Sequence, residues 1–148
     1  MSALMRGSLA PLLDRLIGYE DGVLLDAAGL RHSLALDLQR LFNSTSRLAI
    51  DDFLDLELTV LDYGLPDFRG LSPQSYPDRE IMGAAIGKAI AAFEPRLALV
   101  QVMVDLVEGL SYRARVAIEA AVRLGNQLCR VDFNLEIMPG AATTLGAT

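Results

Sequence analysis

Few residues in this chain have the type and spacing to do chemistry. Asp51, Asp52, Asp55 and Glu57 are close enough in sequence to suggest a hard-cation site. They lack the alternating ligand positions and central glycine of a calcium loop, so a solvated acidic segment is expected. His32 is the one histidine and Cys129 the one cysteine, so zinc-ligand spacing is absent. His32 falls inside a helical pattern and reads as structural or solvated. Cys129 shares a strand face with Val131, Phe133 and Leu135 and reads as a core residue rather than a nucleophile. No phosphate-binding glycine loop, dinucleotide fingerprint or Gly-x-Ser-x-Gly nucleophile elbow occurs.

Two short segments stand out. Phe93-Glu94-Pro95-Arg96-Leu97 sets opposite charges two residues apart, with Ala91-Ala92 before and Ala98-Leu99-Val100 after. It reads either as an ordinary helix-to-strand connection or as a charged knuckle, stiffened by proline and aimed at a partner. Leu61-Asp62-Tyr63-Gly64-Leu65-Pro66-Asp67-Phe68 combines an aromatic, a glycine and a proline among leucines. It reads either as a specific turn or as a loop that covers the core.

The elements that must position these segments follow from periodicity. Leu9, Leu12, Leu13, Leu16 and Ile17 line one face of a short helix over 8–17, with Ser8 as cap and Gly18 as stop. So short a helix must dock on something to persist. Leu30, Leu34, Leu38 and Leu41 mark a second helix over 30–43, its stripe widened by Leu36 and Phe42. Residues 51–62 fit a helix start at Asp51-Asp52 or an alternating strand through Leu54, Leu56, Leu58 and Val60, and 63–77 is a loop. The clearest helix spans 78–93, capped by Asp78, with Met82, Ala85, Ile86, Ala89, Ile90 and Phe93 as its stripe. Pro95 forces Glu94 out of helical geometry and ends it.

Three strands follow. Residues 97–107 are almost continuously apolar and are expected to be central, covered on both faces. Residues 112–122 and 129–137 alternate, which means one face on the core and one in water. Glu108-Gly109 and Leu124-Gly125-Asn126-Gln127 join them as turns. The sequence therefore predicts an α+β single domain, with N-terminal helices followed by a long helix and a three-stranded antiparallel meander. Its organisation is expected as a leading amphipathic helix and linker over 1–29, the α+β domain over 30–138, and a flexible tail over 139–148.

Composition narrows the function classes. A chain of 148 residues fits one domain and can build a core without disulfides or metal. Thirteen basic against nineteen acidic residues give a net charge of −6 with scattered arginines, a poor basis for binding nucleic acid. Hydrophobic residues are 52% of the chain, yet no run approaches the ~20 apolar residues of a membrane span. Arg6, Asp14 and Arg15 interrupt the N-terminus, unlike a signal peptide. A reducing, cytoplasmic setting is expected, with no direct membrane insertion and no cofactor.

The sequence resembles a known family at the two segments singled out. YGLPDF at 63–68 followed by FEPRL at 93–97 is similar to the phage baseplate wedge and TssE family, often labelled lysozyme-like. SLALDLQRLFNSTSR at 33–47 resembles that family's Ser-x-x-x-Asp-Leu stretch and the Leu-Leu-Asn-Thr-Arg stretch after it, here loosened by inserted polar residues. SLAPLLDRL resembles the short leading helix of TssE. The resemblance implies a structural baseplate subunit of a type VI secretion system, cytoplasmic and docked at the inner membrane. Such a subunit links the wedge to the contractile sheath and initiates its polymerisation. Implied partners are the wedge proteins TssF and TssG, baseplate components such as TssK, and the sheath proteins TssB and TssC. By resemblance Glu94, Pro95, Arg96 and Leu97 make the wedge contact, and Tyr63, Gly64, Leu65 and Pro66 form a motif loop. A contractile phage tail or an extracellular injection particle would use an equivalent subunit.

The muramidase activity suggested by the lysozyme-like label is not expected. Glycoside hydrolysis needs two carboxyl groups flanking the bond. Glu94 is the one motif carboxylate that could serve, and Arg96 two residues on offers it a charge partner rather than a second carboxylate. The chain has no tryptophan for a sugar cleft. Glu94 and Arg96 are instead expected to be completed by the wedge, so that losing Arg96 would spare the monomer. The third strand has no proline and precedes only the tail, so its edge is expected to be open for strand addition. Arg130, Asp132, Asn134 and Glu136 lie there, and the resemblance makes the incoming strand a terminal arm of a sheath subunit.

Overall fold

The structure, a computed structural model, describes residues 8–9, 24–25, 27–124, 126–139 and 144–146. Ser8–Leu9 (β1) pairs antiparallel with Leu24–Leu25 (β2), so the first two residues of the expected leading helix are extended. The rest of that helix, residues 10–17, lies outside the described residues.

Helix α1 (Ala27–Phe42) begins three residues before its apolar stripe. Leu30, Leu34, Leu38, Leu41 and Phe42 are buried. Leu36, expected to widen the stripe, is exposed. It stands two residues from Leu34, roughly 200° around the helix. The ambiguous segment resolves into helix α2 (Ile50–Asp55), an extended stretch and a 3-10 turn (Val60–Asp62). Phe53 decides the first of these by burying completely against the core. Asp51 and Asp52 stand in the first turn of α2, where the helix dipole favours negative charge.

Helix α3 (Tyr76–Phe93) is capped by Ser75, whose hydroxyl accepts from the Asp78 N–H at 3.4 Å. Asp78, the expected cap, sits in the first turn and accepts the Ser72 N–H at 2.8 Å. Pro77 fits the first turn because its missing N–H would have no partner there. Met82, Ala85, Ile86, Ala89 and Ile90 bury the expected stripe.

The meander forms as expected: β3 (Leu97–Val107), β4 (Leu110–Leu124) and β5 (Gln127–Ile137), all antiparallel. Gly109, at φ 78°, supplies the left-handed residue of the first turn. Ile118 and Val116 face Phe133 and Leu135 across β4 and β5 and complete one core with α1, α2 and α3. No helix among the described residues is long and apolar enough to cross a membrane.

Two expectations about the sheet are corrected. The strand order is β3-β4-β5-β6, so β3 is an edge strand and not the centre. Its apolar run has a different cause. Val102 and Val104 face α3, where a Cβ placed on Gly87 or Gly83 would meet them at 3.7 and 3.5 Å. Leu99 and Met103 are 78% and 56% exposed. The second correction concerns the tail: Thr144–Gly146 forms β6 and pairs with β5, Asn134 opposite Gly146 and Glu136 opposite Thr144. The edge of β5 is therefore partly covered by the chain that follows it, which satisfies backbone groups an open edge would leave unpaired.

Candidate functional site

The segments singled out in the sequence meet at one end of the fold. At the C-terminus of α3 the Glu94 N–H closes the last turn on the Ile90 carbonyl at 2.8 Å. Pro95 then breaks the helix and is exposed, while Leu97 opens β3 and is buried. Arg96 folds back over this corner. Its Nε donates to Glu94 Oε1 at 2.7 Å and its Nη2 to Glu94 Oε2 at 3.1 Å, a bidentate pair. Nη1 donates to Ser33 Oγ at 3.3 Å, and Nη2 also meets Asp37 Oδ2. Asp37 in turn accepts from Arg40 Nη1 at 3.2 Å.

The expectation that a partner completes this pair is thus corrected. The Glu94 side chain is 7% exposed and that of Arg96 24%. Both charges find opposite partners inside the chain, and the guanidinium ties α1 to the α3–β3 corner. Burial of Glu94 makes internal pairing necessary, because a lone buried carboxylate is costly. The missed partners, Ser33 and Asp37, carried a legible signal: four apart on a helix, they must share a face.

The motif loop docks beside this corner. The Tyr63 ring meets Phe93 edge-on, centroids 5.2 Å apart and planes at 65°. Burial, then the nearby Asp37 carboxylate, pushes the Tyr63 phenol above its ordinary value. Leu65 forms a parallel bridge to Thr45: its N–H donates to the Ser44 carbonyl at 2.9 Å, and its carbonyl accepts the Ser46 N–H at 2.8 Å. Gly64, at φ 117°, permits this approach, since a Cβ there would lie 2.5 Å from the Ser44 carbonyl oxygen. Leu65 and Pro66 are buried, so the loop holds two connections together.

A second charge group anchors the loop. Asp62, almost wholly buried, accepts from the Thr59 N–H at 2.8 Å and the Thr59 hydroxyl at 3.1 Å through Oδ2, and from Arg47 Nε at 2.9 Å through Oδ1. The backbone N–H of Thr59 first, helped by its hydroxyl and by Arg47, holds the Asp62 carboxyl below the usual range against the opposing effect of burial. Arg47 and Asp62 come from the two stretches that the bridge brings together.

The predicted edge residues lie apart from this cluster on the outer face of the sheet. Arg130 pairs with Glu119 at 2.7 Å and Asp132 at 3.3 Å, and Glu136 pairs with Arg113 at 3.2 Å. Such exposed pairs contribute little stability but fix cross-strand register chemistry. The Asp132 carbonyl accepts Arg31 Nη2 from α1 at 3.2 Å, and Asn134 pairs opposite Gly146 of β6. Cys129 is partly buried against the core, and His32 is exposed. No group of three or more His, Cys, Asp or Glu among the described residues could hold a metal ion.

These features define a class: a small α+β domain whose marked residues tie its own helices, loops and sheet corner together. Residues 28–127 match the family described as baseplate wedge protein gp25, which is also the TssE family, and the chain belongs to it. No curated protein sequence matches the chain. Membership makes this a phage-like baseplate subunit that associates with other baseplate components.

Proposed function

We propose that this chain is the baseplate subunit of a type VI secretion system that links the wedge to the contractile sheath and starts sheath polymerisation. TssF and TssG would hold it at the Glu94–Leu97 corner, with TssK among the further baseplate components. TssB and TssC would build on its sheet, in the cytoplasm against the inner membrane. In this reading Pro95 and the outer side of Arg96 present the wedge contact, because Glu94 and Leu97 are buried. The family assignment supports the baseplate role, and the outer edge of β3, which no strand among the described residues pairs with, supports strand addition.

That edge is the observation that carries the sheath role. It runs along an 11-residue strand with no proline and no lysine. A groove of about 430 Å³ between β3 and α3 lies beside it, lined by Gly83, Ala84, Gly87, Val100, Val102 and Val104 among others. An added strand would gain main-chain hydrogen bonds from the edge and side-chain specificity from the groove. The edge at Arg130, Asp132, Asn134 and Glu136 is the less accessible alternative, because β6 and Arg31 already occupy part of it.

Edge lysines are a natural block to strand pairing. A Leu99→Lys/Met103→Lys variant is expected to fold and to join the wedge, yet to fail in a sheath-polymerisation assay. Asn134→Lys, which puts a lysine on the outer face of β5 and keeps its backbone pairing with β4 and β6, is expected to polymerise sheath normally. Normal assembly on the β3 lysine variant together with failure on Asn134→Lys would move strand addition to β5. Normal assembly on both would remove the strand-addition role.

A further inference from the structure

The two side chains at the tip of the 3-10 turn are held out into solvent by an unusually complete set of polar anchors. Val60 is 86% and Leu61 74% exposed. Behind them, the Thr59–Asp62 capping box closes on itself and Arg47 clamps Asp62 from the preceding loop. Before them, Lys88 reaches across from α3 and donates to the Leu54 and Leu56 carbonyls at 2.8 and 2.6 Å, fixing the end of α2. The segment between these two clamps carries a third exposed apolar residue, Leu56. Apolar side chains that contribute nothing to the core, yet sit on a backbone clamped at both ends, are preorganised for contact, since little ordering remains to be done on binding.

The charge around this knob identifies what fits it. Asp51, Asp52, Asp55 and Glu57 are all exposed, and none has an ion-pair partner among the described residues. The stretch from Asp51 to Leu61 contains no basic residue. Asp62 is already neutralised by Arg47, and Lys88 spends its ammonium on the two carbonyls. The result is an apolar tip beside uncompensated negative charge. We propose that the Leu56–Leu61 knob is a docking surface for a basic amphipathic helix of a partner protein. The apolar stripe of that helix would cover Leu56, Val60 and Leu61, and its flanking lysines or arginines would face the four carboxylates. This surface uses different residues from the Glu94–Leu97 corner, to which the chain continues through Tyr63 on Phe93, and from the β3 edge, and it does not depend on either being used as proposed above.

A synthetic helical peptide of leucine and lysine, with a scrambled peptide of the same composition as control, tests this by amide NMR titration. The perturbed amides are expected to be confined to residues 51–61, and the scrambled peptide to bind much more weakly. The Val60→Ser/Leu61→Ser variant keeps all four carboxylates and removes only exposed atoms, so it should retain the wild-type unfolding midpoint. It is expected to weaken the peptide by about tenfold or more. Asp51→Asn/Asp52→Asn should weaken it as well and flatten its salt dependence. Equal binding of both peptides, unchanged affinity in the serine variant, or shifts that centre on the β3–α3 groove would overturn the proposal. So would a concentration-dependent dimer, seen by sedimentation, that the serine variant abolishes, because a second copy would then be what covers the knob.

Discussion

Arg96 is where a single residue decides most. Its side chain contacts Glu94, Ser33 and Asp37, on two elements far apart in sequence. Removing it leaves the buried Glu94 carboxylate without its bidentate partner. Breaking a buried pair by deleting one member costs about 3–5 kcal/mol, and the partial exposure of Arg96 places the expectation at the lower end, about 3 kcal/mol. Arg96→Ala should therefore lower the urea midpoint clearly before any partner is added, and Arg96→Lys should recover only part of the loss, since an ammonium cannot repeat the planar fork. A midpoint equal to wild type would return this pair to a role in assembly alone. The sequence showed the two charges at Glu94 and Arg96 but not their burial. Exposure depends on α1 lying across the corner, 59 residues away at Asp37.

At the scale of elements, two irregular connections are made into one by Gly64. The parallel bridge between Thr45 and Leu65 needs the backbones closer than any side chain allows, and Gly64 adopts a φ that L side chains rarely take. Gly64→Ala brings both a strained φ and a collision with the Ser44 backbone, together on the order of 3 kcal/mol or more. The expected readout is a strongly lowered thermal midpoint, with faster amide exchange first at Leu65 and Ser46. A change under about 1 kcal/mol would show that the two loops can separate without cost. Element identity itself was largely legible. The stripes of α1 and α3 and the alternation of β4 and β5 fix each element's buried face locally, so those assignments stand. Residues 51–62 were ambiguous because Leu54, Leu56 and Leu58 fit two periods, and only the pocket that takes Phe53 breaks the tie.

For the whole molecule, the question is whether any carboxylate could act as an acid. Both oxygens of Glu94 are taken by Arg96, and its side chain is closed off from solvent, so a glycosidic oxygen has no approach. Incubation with peptidoglycan is expected to release no muropeptides detectable by chromatography. Release that disappears in Glu94→Gln would establish a hydrolase within this fold. Membership of a baseplate wedge family points the same way.

The sequence by itself determined the α+β class, the order of helices and meander, and the family, because each rests on local periodicity or on contiguous motifs such as YGLPDF and FEPRL. Tertiary structure alone decided which strand is the edge. An almost continuous apolar run from Leu97 to Val107 reads the same whether both faces are covered or one face and one edge are open. Strand order, a property of pairing between distant segments, separates the two. The same holds for the tail. Thr144–Gly146 is too short and too small in its side chains to announce a strand, and it becomes one because β5 offers it unpaired backbone. The ion-pair network at Arg96 and the clamp on Asp62 likewise exist only once the loops meet. Which charges find partners is a matter of distance in space, and spacing along the chain fixes that only within a helix or a strand.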